Sequence, residues 1–225
     1  MKRYLTLRSA LLAAVVSGHT LAAESPTVSA RFVDPEAAEH AEVRTLGERA
    51  INRLAATLGN EVAVATSKGG ADKAVEFCHL KALPLTGEVL SGMPRITGIK
   101  RTSLKLRNPA NAPDAAEQLA LKKVELELER GVLPKVLLQE VDLPGGKSEW
   151  RVYRPIGVAP QCVTCHGASE SMPPELQKSL KARYPADEAT GYTAGQWRGL
   201  IRVTVGAAPP PPPATKAPTP ARKKA

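Results

Sequence analysis

Residues 136–155 read VLLQEVDLPGGKSEWRVYRP, and this stretch decides the fold class. Two runs with strand composition, Val136 to Leu143 and Glu149 to Pro155, flank Pro144-Gly145-Gly146-Lys147. Proline presets a turn φ and glycine accepts positive φ, so the pattern predicts a β-hairpin. Outward from it, LIRVTV at 200–205 supplies another strand. Met93 to Asn111, with Pro94, Gly98, Pro109 and the alternation Ser103, Leu104, Lys105, Leu106, reads as strand and loop.

Helical spacing dominates the earlier half. Ala38, Ala41, Leu46, Ala50, Leu54 and Leu58 form one stripe between Pro35 and Leu58. A second helix is expected after Gly69-Gly70, with Ala71, Val75, Cys78, Ala82, Leu85 and Val89 spaced by threes and fours and Cys78 facing inward. A third helix runs from Pro113, as first helical residue, to Gly131. Helices first and strands mostly later argue for an α+β domain, helices packed on an antiparallel sheet. There is no internal repeat.

The two ends differ from the rest. Lys2, Arg3 and Arg8, then an apolar run around Ala10 to Val16, then Ala22 and Ala23, have the layout of a secretory signal peptide. The run is far short of the roughly 18 residues that cross a bilayer, so residues 1–23 are expected to be cleaved, with no transmembrane segment left and a periplasmic destination. Residues 207–225, AAPPPPPATKAPTPARKKA, read as a disordered proline-rich basic tail. The domain between spans 24–206. The formal charge of +9 includes three cations in the leader and Lys216, Arg222, Lys223 and Lys224 in the tail, which leaves +2 on the domain. With so little charge and few aromatic residues, nucleic acid is not an expected partner.

The chemistry sits at Cys162-Val163-Thr164-Cys165-His166. Covalent c-type haem attachment needs two thiols to add across the haem vinyl groups and an imidazole beside the second thiol to reach the iron. Cys162 and Cys165 supply the thioethers of one haem c, and His166 supplies the proximal ligand. Two readings compete. A redox disulfide does not need His166 and lacks the usual surrounding strand-helix alternation. Zinc held with Cys78 and His79 would need a second spaced ligand pair, and those two residues are adjacent.

For the sixth position, Cys78, His79, His40, Met93 and Met172 are all chemically able to bind haem iron, and their order in the chain does not choose among them. Cys78 is the only cysteine outside the motif. An unpaired thiol in an oxidising compartment suits ligation, while a small buried core residue is the habit of free cysteines in general.

AVEFCHLKA (74–82), RTSLKLRNPANAPDAAE (101–117), CVTCHG (162–167) and ATGYTAGQWRGLIRV (189–203) together resemble a domain-of-unknown-function family of exported c-type haem proteins with a PAS-like fold. The resemblance runs from about His40 to Val205. It implies axial ligation by His166 and by Cys78 as a helix-borne thiolate. It also places the Arg101 and Arg107 region near the haem, where a guanidinium pairs with a propionate; the competing reading makes Asn108-Pro109 and Asn111 a tight turn and Arg101 a solvated strand residue. Tyr192 and Arg198 have the same two readings, with structure favoured. The chain departs from the family pattern at Ala116, where a tryptophan is usual, and at Gln196, where an acid is usual.

A thiolate opposite histidine donates electron density to ferric iron and occupies the site where oxygen would bind. The expectation is therefore a non-enzymatic, low-potential periplasmic monohaem cytochrome, a redox or gas sensor or a one-electron carrier, with a redox or signalling partner the sequence does not name. A peroxidase-type enzyme with an open distal face, using His40 and Arg101, is the second reading. A PAS-like binding module without haem is the third.

Overall fold

The computed structural model describes residues 29–207; the expected leader and all but the first residue of the expected tail lie outside the described residues. Five strands, β1 (Ala30–Val33), β2 (Ile96–Thr102), β3 (Leu137–Leu143), β4 (Lys147–Gly157) and β5 (Trp197–Val205), form one sheet. Their order is β1-β3-β4-β5-β2, and every neighbouring pair is antiparallel. The α+β class is as expected.

The hairpin closes through Pro144, Gly145 and Gly146, between the register partners Leu143 and Lys147. Gly145 (φ 84°) and Gly146 (φ 73°) take the left-handed conformation that a side chain would strain. Lys147, expected in the turn, is already paired. Successive strand residues alternate between faces, so Leu138 and Val152 point to one side of the sheet and Leu137 and Tyr153 to the other.

Helix α1 (Ala41–Leu80) and helix α2 (Ala82–Ser91) cover the first face. Val43, Ala50, Ile51, Leu54 and Leu58, with Ala82 and Val89, pack on Leu138, Val152, Ile201, Val203 and Val205. At about 1.5–3 kcal/mol for each large apolar side chain removed from water, this stripe rather than intrinsic propensity holds the helix. The helix does not stop at Leu58, as the stripe suggested. It continues as an exposed limb to the break at Gly69 and Gly70, where Gly70 (φ 70°, ψ −162°) leaves helical geometry. The chain then returns as a second limb that carries Cys78, where the second helix is expected.

Helix α3 (Ala115–Glu129) lies on the opposite face, Ala120, Leu121 and Val124 against Leu137, Tyr153 and Leu200. Its first residue is Ala115, so Pro113, expected as the first helical residue, stands just before the cap. Asp114 caps it: Asp114 Oδ1 accepts from the Glu117 N–H at 2.8 Å and Glu117 Oε2 accepts from the Asp114 N–H at 2.9 Å, a reciprocal capping box. Helices α4 (Val163–His166) and α5 (Pro174–Arg183) follow β4. Leu176 and Leu180 of α5 pack with Val75 of the return limb, Met172 and Tyr184 in a third apolar cluster apart from the two sheet cores.

Candidate functional site

The segments that carry the sequence motifs meet at the end of the sheet where β2 and β4 run out and β5 begins. Thr102, Pro155 and Leu200 stand in register there. After β4, Pro160–Cys162 form a 3-10 turn and α4 adds a single helical turn. Cys162 and Cys165 are three residues apart on it, which places them on one side. The Gly167 N–H donates to the Val163 carbonyl at 2.7 Å, closing that turn. A Cβ on Gly167 would lie 2.6 Å from that same oxygen, so the turn requires glycine directly after His166.

His166 Nδ1 lies 2.7 Å from the Ala189 carbonyl oxygen. A carbonyl only accepts, so Nδ1 carries the hydrogen and donates, and Nε2 keeps a free lone pair. Burial, then the positive charge of Arg107, with Arg198 and Arg101 adding, push the imidazole's pKa down to about 3. The ring is therefore neutral at ordinary pH, the form that binds a metal.

The 184–192 loop is fastened to this turn along its length. The Gly191 N–H donates to the Gly167 carbonyl at 2.7 Å and the Tyr192 N–H to the His166 carbonyl at 2.9 Å. Asp187 Oδ1 accepts from the Ala189 N–H at 2.8 Å. Arg107 ties the loop to the motif. Its Nε donates to Asp187 Oδ2 at 2.9 Å, and its Nη2 donates to the Cys165 carbonyl at 2.6 Å and the Ala189 carbonyl at 3.3 Å.

Cys78 is partly buried on the return limb, and burial pushes its thiol pKa up while Arg101 and Arg107 pull it down. Cys165 feels burial first, then Arg107 and Cys78, so both thiols and both guanidiniums share one neighbourhood. Arg101, on β2 and mostly buried, has no hydrogen bond or ion pair among the described residues; burial lowers its pKa, against the pull of Cys78 and Tyr184. Tyr184, buried under the same limb, has its phenol pushed up to about 12 by burial and by Cys78.

The other candidates for the sixth position are placed differently. His79 is exposed, its ring edge-on to Tyr184 at 5.3 Å. His40 precedes α1, bonded to the Asp34 carbonyl and 5.2 Å from the Trp150 ring. Arg101 pairs with Ile201, and Ile201 with Arg154, four residues along β4 from the Trp150 that His40 faces, about 13 Å at the rise of a strand, so His40 and Arg101 are not brought together. Met93 packs with the first sheet core and Met172 in the third cluster.

The RNPANAPD segment is both turn and support. Asn108 Oδ1 accepts from the Ala110 N–H at 3.0 Å, and the Thr102 hydroxyl donates to the Asn111 carbonyl at 3.1 Å. Arg198 donates to the Lys105 carbonyl at 2.9 Å and stands 5.3 Å from the Tyr192 ring, which gives both a packing role. Ala116, where the resemblance expects a tryptophan, is buried in the first turn of α3, and Gln196 Oε1 accepts from the Thr193 N–H at 2.8 Å. Sequence reasoning missed Asp187, Ala189 and Tyr184. Asp187 carried an available signal, an acid two residues before a buried backbone N–H as in an Asx turn; Ala189 acts through its carbonyl, which no residue type announces.

Among the described residues no three or more His, Cys, Asp or Glu converge as a metal-ion site, so the zinc reading finds no ligand set. None of the three cysteines is paired in a disulfide. No described helix is long and apolar enough to cross a membrane.

The fold and the site define an α+β domain in which a helical hairpin and a C-terminal loop close over a Cys-x-x-Cys-His turn at one end of an antiparallel sheet. The chain belongs to the Tll0287-like family, whose model matches residues 33–206. Among solved structures it is similar to the cyanobacterial heme-protein Tll0287, at 23% identity and a TM-score of 0.50, over 78% of this chain and 98% of that one. At that identity the likeness shows the fold. A comparison with curated proteins gave no match.

Proposed function

We propose that this chain is a haem protein carrying one covalent haem c on Cys162 and Cys165, with His166 and Cys78 as axial ligands, and that it handles single electrons at low potential. The observation that carries the reading is the state of His166: Nδ1 is committed to the Ala189 carbonyl, which frees Nε2 beside two thiols on one turn. Ligating histidines characteristically donate their second ring N–H in this way. The relative that shares the fold is described as a heme-protein.

The residues present fit the group. Haem iron would take one or two ligands from the protein, which suits a site where no three-ligand cluster forms among the described residues. Arg101, a mostly buried cation without a partner among the described residues, is the side chain available to a propionate. Arg107, expected in the same role, already has Asp187 and two carbonyls as partners. When bound, the haem supplies a one-electron ferric/ferrous couple. This chain's residues would hold it: Cys162 and Cys165 would tether it, the Ala189 carbonyl orients His166, and the return limb presents Cys78. Burial pushes that thiol up in pKa against the smaller pull of Arg101 and Arg107, so it would lose its proton on ligating the iron. A thiolate ligand lowers the reduction potential.

The PAS-like description of the fold, the leader at 1–23, the tail at 207–225, periplasmic location and a non-enzymatic role as carrier or as redox or gas sensor belong to the same reading. The test is the absorption spectrum of the ferric and ferrous protein beside Cys78→Ala. Wild type is expected to show a low-spin thiolate spectrum, with haem retained on the denatured polypeptide. Loss of the thiolate features in the variant supports the reading. An unchanged variant spectrum removes Cys78 as ligand, and a colourless wild type made with haem-attachment machinery removes the haem.

A further inference from the structure

We infer that Arg107 is a positioning residue that sets the His166 imidazole and tunes the iron through the Ala189 carbonyl; this rests on the haem reading above and goes beyond it. One guanidinium engages the motif turn and the loop that faces it. Nη2 donates to the Cys165 carbonyl on the turn and to the Ala189 carbonyl on the loop, while Nε donates to Asp187. Asp187 Oδ1 in turn accepts from the Ala189 N–H, so the Ala189 peptide is held at both its N–H and its carbonyl. That carbonyl is the one to which His166 Nδ1 donates, and Ala189 itself has no solvent exposure.

Two consequences follow from the shared acceptor. The first is geometric: the plane of the imidazole is fixed by a carbonyl that Arg107 and Asp187 orient, through fork geometry that a lysine does not reproduce. The second is electronic. A cation on the Ala189 oxygen draws electron density from it and weakens its pull on the Nδ1 hydrogen, which makes the imidazole a poorer electron donor. The positive charge nearby disfavours the ferric state in the same direction. Removing Arg107 therefore lowers the reduction potential and turns the ring, while the thioethers and both axial ligands stay.

The experiment is a redox titration and a ferric electron paramagnetic resonance spectrum of the haem-loaded wild type, Arg107→Gln, Arg107→Lys and Asp187→Asn. Arg107→Gln is expected to keep its haem, to shift the reduction equilibrium about tenfold toward ferric, about 59 mV for a one-electron couple, and to change the g-values, which follow ligand orientation. Arg107→Lys is expected to recover part of the potential but not the g-values. Asp187→Asn, which keeps the cation but loosens its aim, is expected to change the g-values and serves if Arg107→Gln does not accumulate. Unchanged g-values in Arg107→Gln and Asp187→Asn overturn the inference, even with a shifted potential, which then assigns Arg107 to simple charge or to a propionate. Full recovery by lysine overturns it as well. A wild type without covalent haem fails the functional reading instead, and does so before any variant is compared.

Discussion

Asp114 shows how much a single residue can bind together away from the Cys-x-x-Cys-His turn. It caps α3, and both its oxygens accept from Arg151 Nη1 at 2.8 Å. Its capping partner Glu117 has no solvent exposure and lies 2.7 Å from Lys100 Nζ and 3.0 Å from Arg202 Nε. Lys100 also donates to the Ala112 carbonyl at 2.5 Å, so this network anchors the end of the segment that begins with Arg107. Burial pushes the Asp114 carboxyl up, but the Glu117 N–H and the Arg151 guanidinium outweigh it and hold its pKa below the ordinary value of 3.8. The folded state therefore releases that proton more readily than the unfolded chain. The stabilisation is present above the ordinary carboxylate range and is lost as pH falls through the folded pKa. Asp114→Asn keeps a capping oxygen and loses the ion pair. Because Asp114 is partly exposed, the expected loss is only about 1 kcal/mol at pH 7. Denaturant unfolding at pH 7 and below pH 3 checks this, the gap between wild type and variant closing at the acid end.

Among the elements, α1 meets β4 more closely than side chains ordinarily allow. A Cβ on Gly47 would lie 2.4 Å from Val152 Cγ2. Gly47→Ala is expected to cost about 1–3 kcal/mol by overpacking, and Val152→Ala to cost a similar amount by leaving a void. The double variant is expected to cost clearly less than the two added together, a coupling that a double-mutant cycle reads directly. This contact was not legible in the sequence, where Gly47 falls inside the first helical run but outside its apolar stripe. Elements with a strong local signature were legible: the hairpin from its glycines, α3 from its acidic start and Gly131, the helix restart from Gly69-Gly70. The boundaries that failed depended on partners. α1 outruns its buried stripe because nothing stops a helix before a glycine pair, and four-residue β1, ARFV, exists only through pairing with Val141 to Leu138 of β3. In the site, the Cys-x-x-Cys-His motif was readable as a candidate because its chemistry is in its side chains. The roles of Arg101 and Arg107 were not separable, because the difference between them is the presence of Asp187, which lies 80 residues from Arg107 along the chain.

The whole molecule divides its apolar packing unequally. Two clusters occupy the two faces of the sheet, while the third, Val75, Met172, Leu176, Leu180 and Tyr184, joins the return limb to α5 beyond the sheet, with Cys165 against it. That third cluster is small, and the strongest polar ties around it, from Arg107, Asp187 and Ser179 to Asp72, link loops and short helices rather than strands. Haem on Cys162 and Cys165 with Cys78 on its iron would join the same pieces covalently, so a ligand that binds only the folded end stabilises that end by its binding free energy. The sheet gains nothing directly from it. In protein made without haem attachment, amides of 163–191 and of the return limb 71–80 are expected to exchange with solvent at least tenfold faster than in the haem-loaded protein. Amides of Leu137–Leu143 and of Arg151 to Tyr153 are expected to exchange at the same rate in both. Local opening of this kind, at free energies below global unfolding, is what hydrogen exchange resolves. Equal acceleration across the sheet would instead make the haem part of a single cooperative core, and the end of the sheet would not be a separately opening unit.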